Sequence, residues 1–249
     1  MKVIVTENYE KLSEVAAGII AKVIVSKPDA VLGLATGTSP IGTYKKLIEY
    51  YENGLLSFAK VKTANLDEYV GLAPSHDQSY HYFMNDNLFD HVDILKDNVR
   101  VPDGTGKDLD KNCKDYDAFL EKTPRDVQLL GIGGNGHIGF NEPKTPFGSK
   151  THIVELTEKT RKDNSRLFKE GETVPEKAIT MGISEICQAK KVLLVANGEN
   201  KADAVYKMVC GPVSEDCPAS VLQLHPDAVV VLDKAAAKRL DASVITETL

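Results

Sequence analysis

The chain has no tryptophan, and its four cysteines share no CxxC spacing. Cys113, Cys187, Cys210 and Cys217 therefore read as reduced thiols of a cytoplasmic protein, neither a disulfide frame nor a zinc site. Long hydrophobic runs are missing as well. A spanning helix needs ~20 apolar residues, whereas runs such as Val229–Leu232 are strand-sized, so no membrane role is expected. The opening Met1-Lys2-Val3-Ile4-Val5-Thr6 lacks the layout of a signal peptide. Basic charge is in deficit: 30 Lys and Arg stand against 36 Asp and Glu, for a net −6. That balance argues against a surface that tracks nucleic-acid phosphates. Repeats, low-complexity tracts and linkers are also absent, which leaves 249 residues to be read as one domain, 1–249.

What is present is an alternation of strand-length apolar runs with segments of helical period, the pattern of an α/β protein. Lys2–Thr6, Ala30–Ala35, Lys60–Asn65, Val127–Ile132, Ile153–Leu156, Lys190–Ala196 and Ala228–Leu232 read as strands, the last closing the sheet. A helix with Leu12, Val15, Ala16, Ile19, Ile20 and Val23 on one face follows the first. Further helices are expected over Ile41–Asn53, Ser79–Phe89, Asp108–Leu120, Thr157–Phe168 and from about Glu199 to Val209. The expected fold is a single doubly wound, mostly parallel sheet with helices on both faces, Rossmann-like. Sites in such sheets lie at the carboxyl ends of the strands.

Three strand ends carry polar residues. Thr36-Gly37-Thr38-Ser39-Pro40 follows the second strand and opens a helix, so Gly37, Thr38 and Ser39 present backbone N–H groups where an anion could sit. The same residues also fit a plain helix cap. Asn65-Leu66-Asp67-Glu68-Tyr69 follows the third strand; its two acids are either solvated turn residues or a catalytic carboxylate with a neighbour. Leu130-Gly131-Ile132-Gly133-Gly134-Asn135-Gly136-His137-Ile138-Gly139-Phe140-Asn141-Glu142-Pro143 follows the Val127–Ile132 strand. Its glycines satisfy G-x-G-x-x-G, but Gly139 and Pro143 interrupt any following helix, so a nicotinamide cofactor is disfavoured. A glycine-rich turn with an incidental histidine remains open. So does an imidazole proton shuttle oriented by Asn135, Asn141 and Glu142.

Taken together, LATGTSP, NLDEYVGL followed by SYHYFM, GIGGNGHIGFNEP, TRKDNSRLF and LQLHP resemble the glucosamine-6-phosphate deaminases, also called glucosamine-6-phosphate isomerases. The strings fall in the same order from residue 34 to 226. The neighbouring 6-phosphogluconolactonases look different, with a DER-type third-strand motif and a GHTASLFP-like histidine loop. The resemblance implies a cytoplasmic hydrolase acting on a C–N bond, which turns glucosamine 6-phosphate and water into fructose 6-phosphate and ammonia. It implies no cofactor and no metal, and a phosphosugar as the one small-molecule partner. It leaves room for a homo-oligomer of unspecified size.

Carried over by residue, the resemblance makes Asp67 the acid/base that moves the C2 proton toward C1, and His137 the group that opens the ring. Glu142 and Asn135 would orient and polarise His137. Gly37, Thr38 and Ser39 would hold the phosphate, clamped by Arg166 and Lys201, and a helical lid over about 157–180 would close on it. Some members have Asp where this chain has Asn135, so charged imidazole is less favoured here. Activated hexameric members carry an Arg and a Lys at the positions of His152 and Val154, which implies hyperbolic kinetics for this chain. A lactonase or pentose-phosphate isomerase would lack the Asp67–Tyr69 and His137–Glu142 strings. A non-catalytic sugar-phosphate sensor would lack the acid and the histidine.

Overall fold

A computed structural model describes residues 1–165, 168–169 and 171–249. In chain order the elements are Lys2–Thr6 (β1), Tyr9–Ser26 (α1), Val31–Leu34 (β2), Ile41–Glu52 (α2), Lys62–Asn65 (β3) and Asp67–Tyr69 (β4). Tyr80–Asn87 (α3), Val99–Arg100 (β5), Leu109–Lys122 (α4), Val127–Leu130 (β6), His152–Glu155 (β7) and Glu158–Ser165 (α5) follow. Lys177–Thr180 (β8), Ile183–Ile186 (α6), Val192–Ala196 (β9), Ala202–Cys210 (α7), Ala228–Asp233 (β10) and Glu247–Thr248 (β11) complete the chain.

Eight strands form the main sheet in the order β11-β1-β10-β9-β6-β2-β3-β5, and every pairing in it is parallel. Strands buried on both faces must be apolar throughout, and β9 shows the consequence. Val192, Leu194 and Ala196 pack with α4, α6 and α7 on one side, while Leu193 and Val195 pack with α1, α2 and α3 on the other. The doubly wound expectation holds. Two details differ from the sequence reading: β10 lies inside the sheet between β1 and β9, and the two-residue β11 forms that edge. The buried face of α1 is also rotated, to Leu12, Ser13, Ala16, Ala17, Ile20 and Ile24. Ser13 can face inward because its hydroxyl donates to the Tyr9 carbonyl at 2.8 Å.

A second, antiparallel sheet, β4-β8-β7, was not foreseen. Thr157 caps α5 as expected, its Oγ1 accepting the Thr160 N–H at 3.1 Å. The segment expected as a helical lid nevertheless ends in a strand. Lys177–Thr180 pairs with both β4 and β7, and this ladder satisfies its backbone.

Chain direction diverges between β2 and β6: β3 and β5 lie on one side of this pair, β9, β10 and β1 on the other. A crevice at such a switch point is where open α/β sheets bind ligands. The end of β2 is held by buried Tyr44 of α2, whose hydroxyl donates to the Ala35 carbonyl at 2.5 Å and accepts the Ala35 N–H at 3.2 Å. Tyr44→Phe strips both groups of that partner, and the expected loss is about 1–3 kcal/mol. Urea unfolding reads it; an unchanged midpoint would show that the hydroxyl contributes nothing.

Candidate active site

Four adjacent strands, β9, β6, β2 and β3, deliver the candidate residues to one edge of the sheet. Asp67 comes first. Directly after β3 the chain leaves the main sheet, and Asp67 opens β4 opposite Thr180 of β8. The side chain is 5% exposed, and among the described residues none donates a hydrogen bond to its carboxylate. A Cβ on Gly139 would stand 3.5 Å from Asp67 Oδ2, so the acid abuts the histidine loop. Burial, with Glu68 as a like-charged neighbour, pushes its pKa from 3.8 up to about 8. Tyr80 of α3 stacks against Phe140 and Tyr69 beside it. Burial, Tyr69 and the Asp67 charge push the Tyr80 hydroxyl well above its ordinary value.

The loop after β6 seats His137. Its imidazole lies directly over Gly133, where a Cβ would come within 2.3–2.4 Å of three ring atoms, so only glycine admits the ring. Nδ1 stands 3.5 Å from Glu142 Oε1. Asn135 ties the loop together, its amide donating to Glu142 Oε2 at 2.6 Å and its Oδ1 accepting the His137 N–H at 3.2 Å. Thr160 of α5 donates to Glu142 Oε1 at 3.1 Å. Burial works against the Glu142 charge, but the His137 ring and the Asn135 and Thr160 donors outweigh it and hold the carboxyl below its usual value. The expected Asn135–His137–Glu142 cluster is assembled as one unit.

The turn after β2 is the third part. Gly37 adopts φ +96°, and among the described residues no group accepts from the backbone N–H of Gly37, Thr38 or Ser39. Pro40 sits at the cap of α2, just ahead of the first helical residue. Two residues that sequence reasoning missed fix this turn. The Tyr9 hydroxyl stands 3.0 and 3.1 Å from the Thr38 and Ser39 carbonyls and accepts the Gly42 N–H at 2.8 Å. Asn197, just past β9, accepts the Ser39 hydroxyl at 2.9 Å. Lys201 ends a short 3-10 turn four residues further on. The Asn200 carbonyl would lie 4.0 Å from a Cβ on Gly134, so the phosphate-type turn and the histidine loop border one crevice. Arg166 lies outside the described residues.

His152 opens β7, and its Nδ1 stands 2.8 Å from the Lys150 carbonyl; Val154 packs against the cluster of Tyr69, Phe140, Leu156 and Ala178. Among the described residues one group could gather three metal-type ligands: His76, Asp77 and Glu172 lie with ligand atoms within 4.8 Å. The Lys169 ammonium is already 2.6 Å from Asp77, so the group reads as a set of ion pairs between two loops.

The fold and these three loops define a phosphosugar-enzyme class: the chain belongs to the family described as glucosamine-6-phosphate isomerases/6-phosphogluconolactonase, whose model matches residues 6–231. Within it, the chain sorts with the glucosamine-6-phosphate deaminases. It is 53% identical over 238 residues to the glucosamine-6-phosphate deaminase of Thermoanaerobacter pseudethanolicus, covering 95% of this chain and 94% of that one. A solved monomeric glucosamine-6-phosphate deaminase superposes with a TM-score of 0.93 at 49% identity, covering 96% and 99% of the two chains. The 6-phosphogluconolactonase of Trypanosoma brucei shares the fold, with a TM-score of 0.76, but only 21% identity over 96% of this chain and 98% of that one.

The burial of Asp67 has a measurable consequence for stability. The folded chain keeps its proton up to about pH 8, whereas an unfolded Asp releases it near pH ~3.9. Between those values the folded state binds the extra proton, so this group makes stability fall as pH rises across the window. Asp67→Asn removes that slope. Its stability relative to the native chain should increase from about pH 5 through 7 to 9 in urea unfolding; a constant difference would refute the buried-acid assignment.

Proposed function

We propose that the chain converts glucosamine 6-phosphate and water into fructose 6-phosphate and ammonia, with Asp67 as the acid/base for the carbon-bound proton. The observation that carries this reading is a nearly buried carboxylate, with no donor among the described residues, beside a histidine loop. A carboxylate with a raised pKa is a stronger base than a solvated one, which suits removal of a proton from carbon.

The chemistry proceeds in balanced steps. His137 takes the C1 hydroxyl proton and returns it to the ring oxygen, which opens the pyranose to the aldehyde. The aldehyde acidifies the C2 hydrogen; Asp67 removes it, giving an enolate conjugated with the C2 amine, and returns the proton to C1. Water then adds to the resulting C2 iminium, its proton going to the C1 alkoxide, and the carbinolamine releases ammonia, leaving the ketone. Glu142, kept ionised, orients His137, while Asn135 fixes both. The N–H groups of Gly37, Thr38 and Ser39 receive the phosphate, with Lys201 as a point charge and Arg166 as a bidentate partner.

Three further points belong to the same reading. The segment 157–180 acts as a lid. Its contacts support this: Thr160 reaches Glu142, Phe168 lies against Tyr69 and His76, and Lys169 pairs with Asp77. Val154 carries no charge, and the His152 ring is engaged with the Lys150 carbonyl, which favours hyperbolic kinetics without an activator phosphate site there. The unpaired thiols and the absence of a helix long and apolar enough to cross a membrane among the described residues accord with a cytoplasmic enzyme.

Purified protein given glucosamine 6-phosphate, with no added metal or cofactor, should release fructose 6-phosphate and ammonia in equal amounts, and Asp67→Asn should release neither. Ketose without ammonia would mean a simple isomerase; no turnover with tight phosphosugar binding would mean a sensor. Asn135→Asp restores a negative charge beside His137, so its kcat-against-pH profile should shift relative to the native one. Overlapping profiles would remove Asn135 from the proton chemistry.

A further inference from the structure

Asp67 and Glu68 are adjacent, both are almost fully buried, and their surroundings could hardly differ more. Glu68 is 2% exposed. Its Oε1 accepts the Tyr69 N–H at 2.8 Å and the Tyr80 N–H at 2.9 Å; its Oε2 accepts the His81 N–H at 3.0 Å and lies 3.1 Å from His81 Nδ1. Tyr80 and His81 are the first two residues of α3, and the third amide, that of Tyr82, goes to the Ser79 hydroxyl at 3.1 Å. The open amides of the α3 first turn are therefore satisfied, two of them by one carboxylate reaching across from β4. A negative charge there is favoured by the helix dipole as well as by the donors. Asp67 receives none of these donors.

We propose that Glu68 is a positioning residue for the Asp67 base: its carboxylate clamps β4 to the start of α3 and places its charge beside Asp67. The inference rests on the assignment of Asp67 as the proton-transferring acid. Two neighbouring acids whose surroundings pull them apart take different roles. Here the backbone donors converge on Glu68 and leave Asp67 as the member free to give and take the proton. The other titratable groups facing the pair are the Tyr80 hydroxyl and His81 on α3 and Tyr116 on α4, and Thr180 of β8 lies opposite Asp67. Glu68 is the neighbour whose charge acts on Asp67. Burial contributes most to the raised Asp67 pKa, and Glu68 adds to it.

The test separates charge from clamping. Glu68→Gln keeps an acceptor for the helix amides but removes the charge; Glu68→Asp keeps the charge but cannot reach α3. The acid limb of kcat/KM against pH for glucosamine 6-phosphate reports ionisation in the free enzyme. In Glu68→Gln it should move to lower pH by about half a unit to one unit. In Glu68→Asp the limb should stay, while Tm and kcat fall. A Glu68→Gln limb that superimposes on the native one, or a Glu68→Asp limb that moves as far as the Gln one, overturns the proposal. If Glu68→Gln does not fold, Glu68→Asp decides it: an unmoved limb supports the charge role and a moved one refutes it. Asp67→Asn is run in parallel. Turnover surviving in that variant would mean that the base itself is misassigned; an inactive Asp67→Asn beside an unmoved Glu68→Gln limb faults only the role of Glu68.

Discussion

A carboxylate held out of water without a hydrogen-bond donor is unfavourable, and the architecture around the ends of β3 and β4 is organised to hold Asp67 in that state. Leaving an acid buried costs stability whenever it is ionised. The chain keeps the arrangement by over-determining the backbone on both sides. β3 pairs with β2 and β5, and β4 pairs with β8. The Leu66 N–H goes to Leu34, and its carbonyl accepts the Met181 N–H at 2.7 Å, which knits the two sheets across the single residue between β3 and β4. Tyr69, Tyr80 and Phe140 close the apolar side. The amides of Tyr69, Tyr80 and His81 go to Glu68, which leaves Asp67 confined without them.

The histidine loop is built on the opposite principle. Where Asp67 is deprived of partners, Glu142 is saturated with them: Asn135, Thr160 and the His137 ring converge on its two oxygens. One carboxyl is thereby held above its ordinary range and the other below, and Asp67 Oδ2 abuts Gly139 of the loop that carries Glu142. Such divergence between nearby titrating groups is a common basis for acid and base chemistry in one crevice.

Much of this was legible in the sequence, for local reasons. The apolar runs mark the central strands because strands covered on both faces admit little else, and the polar strings at their ends stand out against that background. Asp67, His137, Glu142 and the Gly37–Ser39 turn could be located for this reason. What escaped depends on contacts between distant segments. β4 is only three residues long and reads Asp-Glu-Tyr; nothing local marks it as a strand until Lys177–Thr180 arrives to pair with it. The placement of β10 inside the sheet is likewise a matter of crossover order. Tyr9, Asn197 and Thr160 look unremarkable in sequence, and each acquires its role through hydrogen bonds to a remote loop. Glu68 is intermediate: its position beside Asp67 was visible, but its duty as the cap of α3 needed the geometry.

The same remote bonds tie substrate binding to chemistry. Ser39 offers its hydroxyl to Asn197, so a phosphate bound as proposed would compete with that bond or use the backbone amides beside it. Thr160 touches the catalytic loop through Glu142, the carboxylate that faces His137. Any displacement of α5 therefore changes the number of donors on Glu142, and with it the field at the imidazole. On the proposed reading, in which α5 belongs to a lid and His137 opens the ring, this one hydrogen bond would couple the two without a separate signalling path.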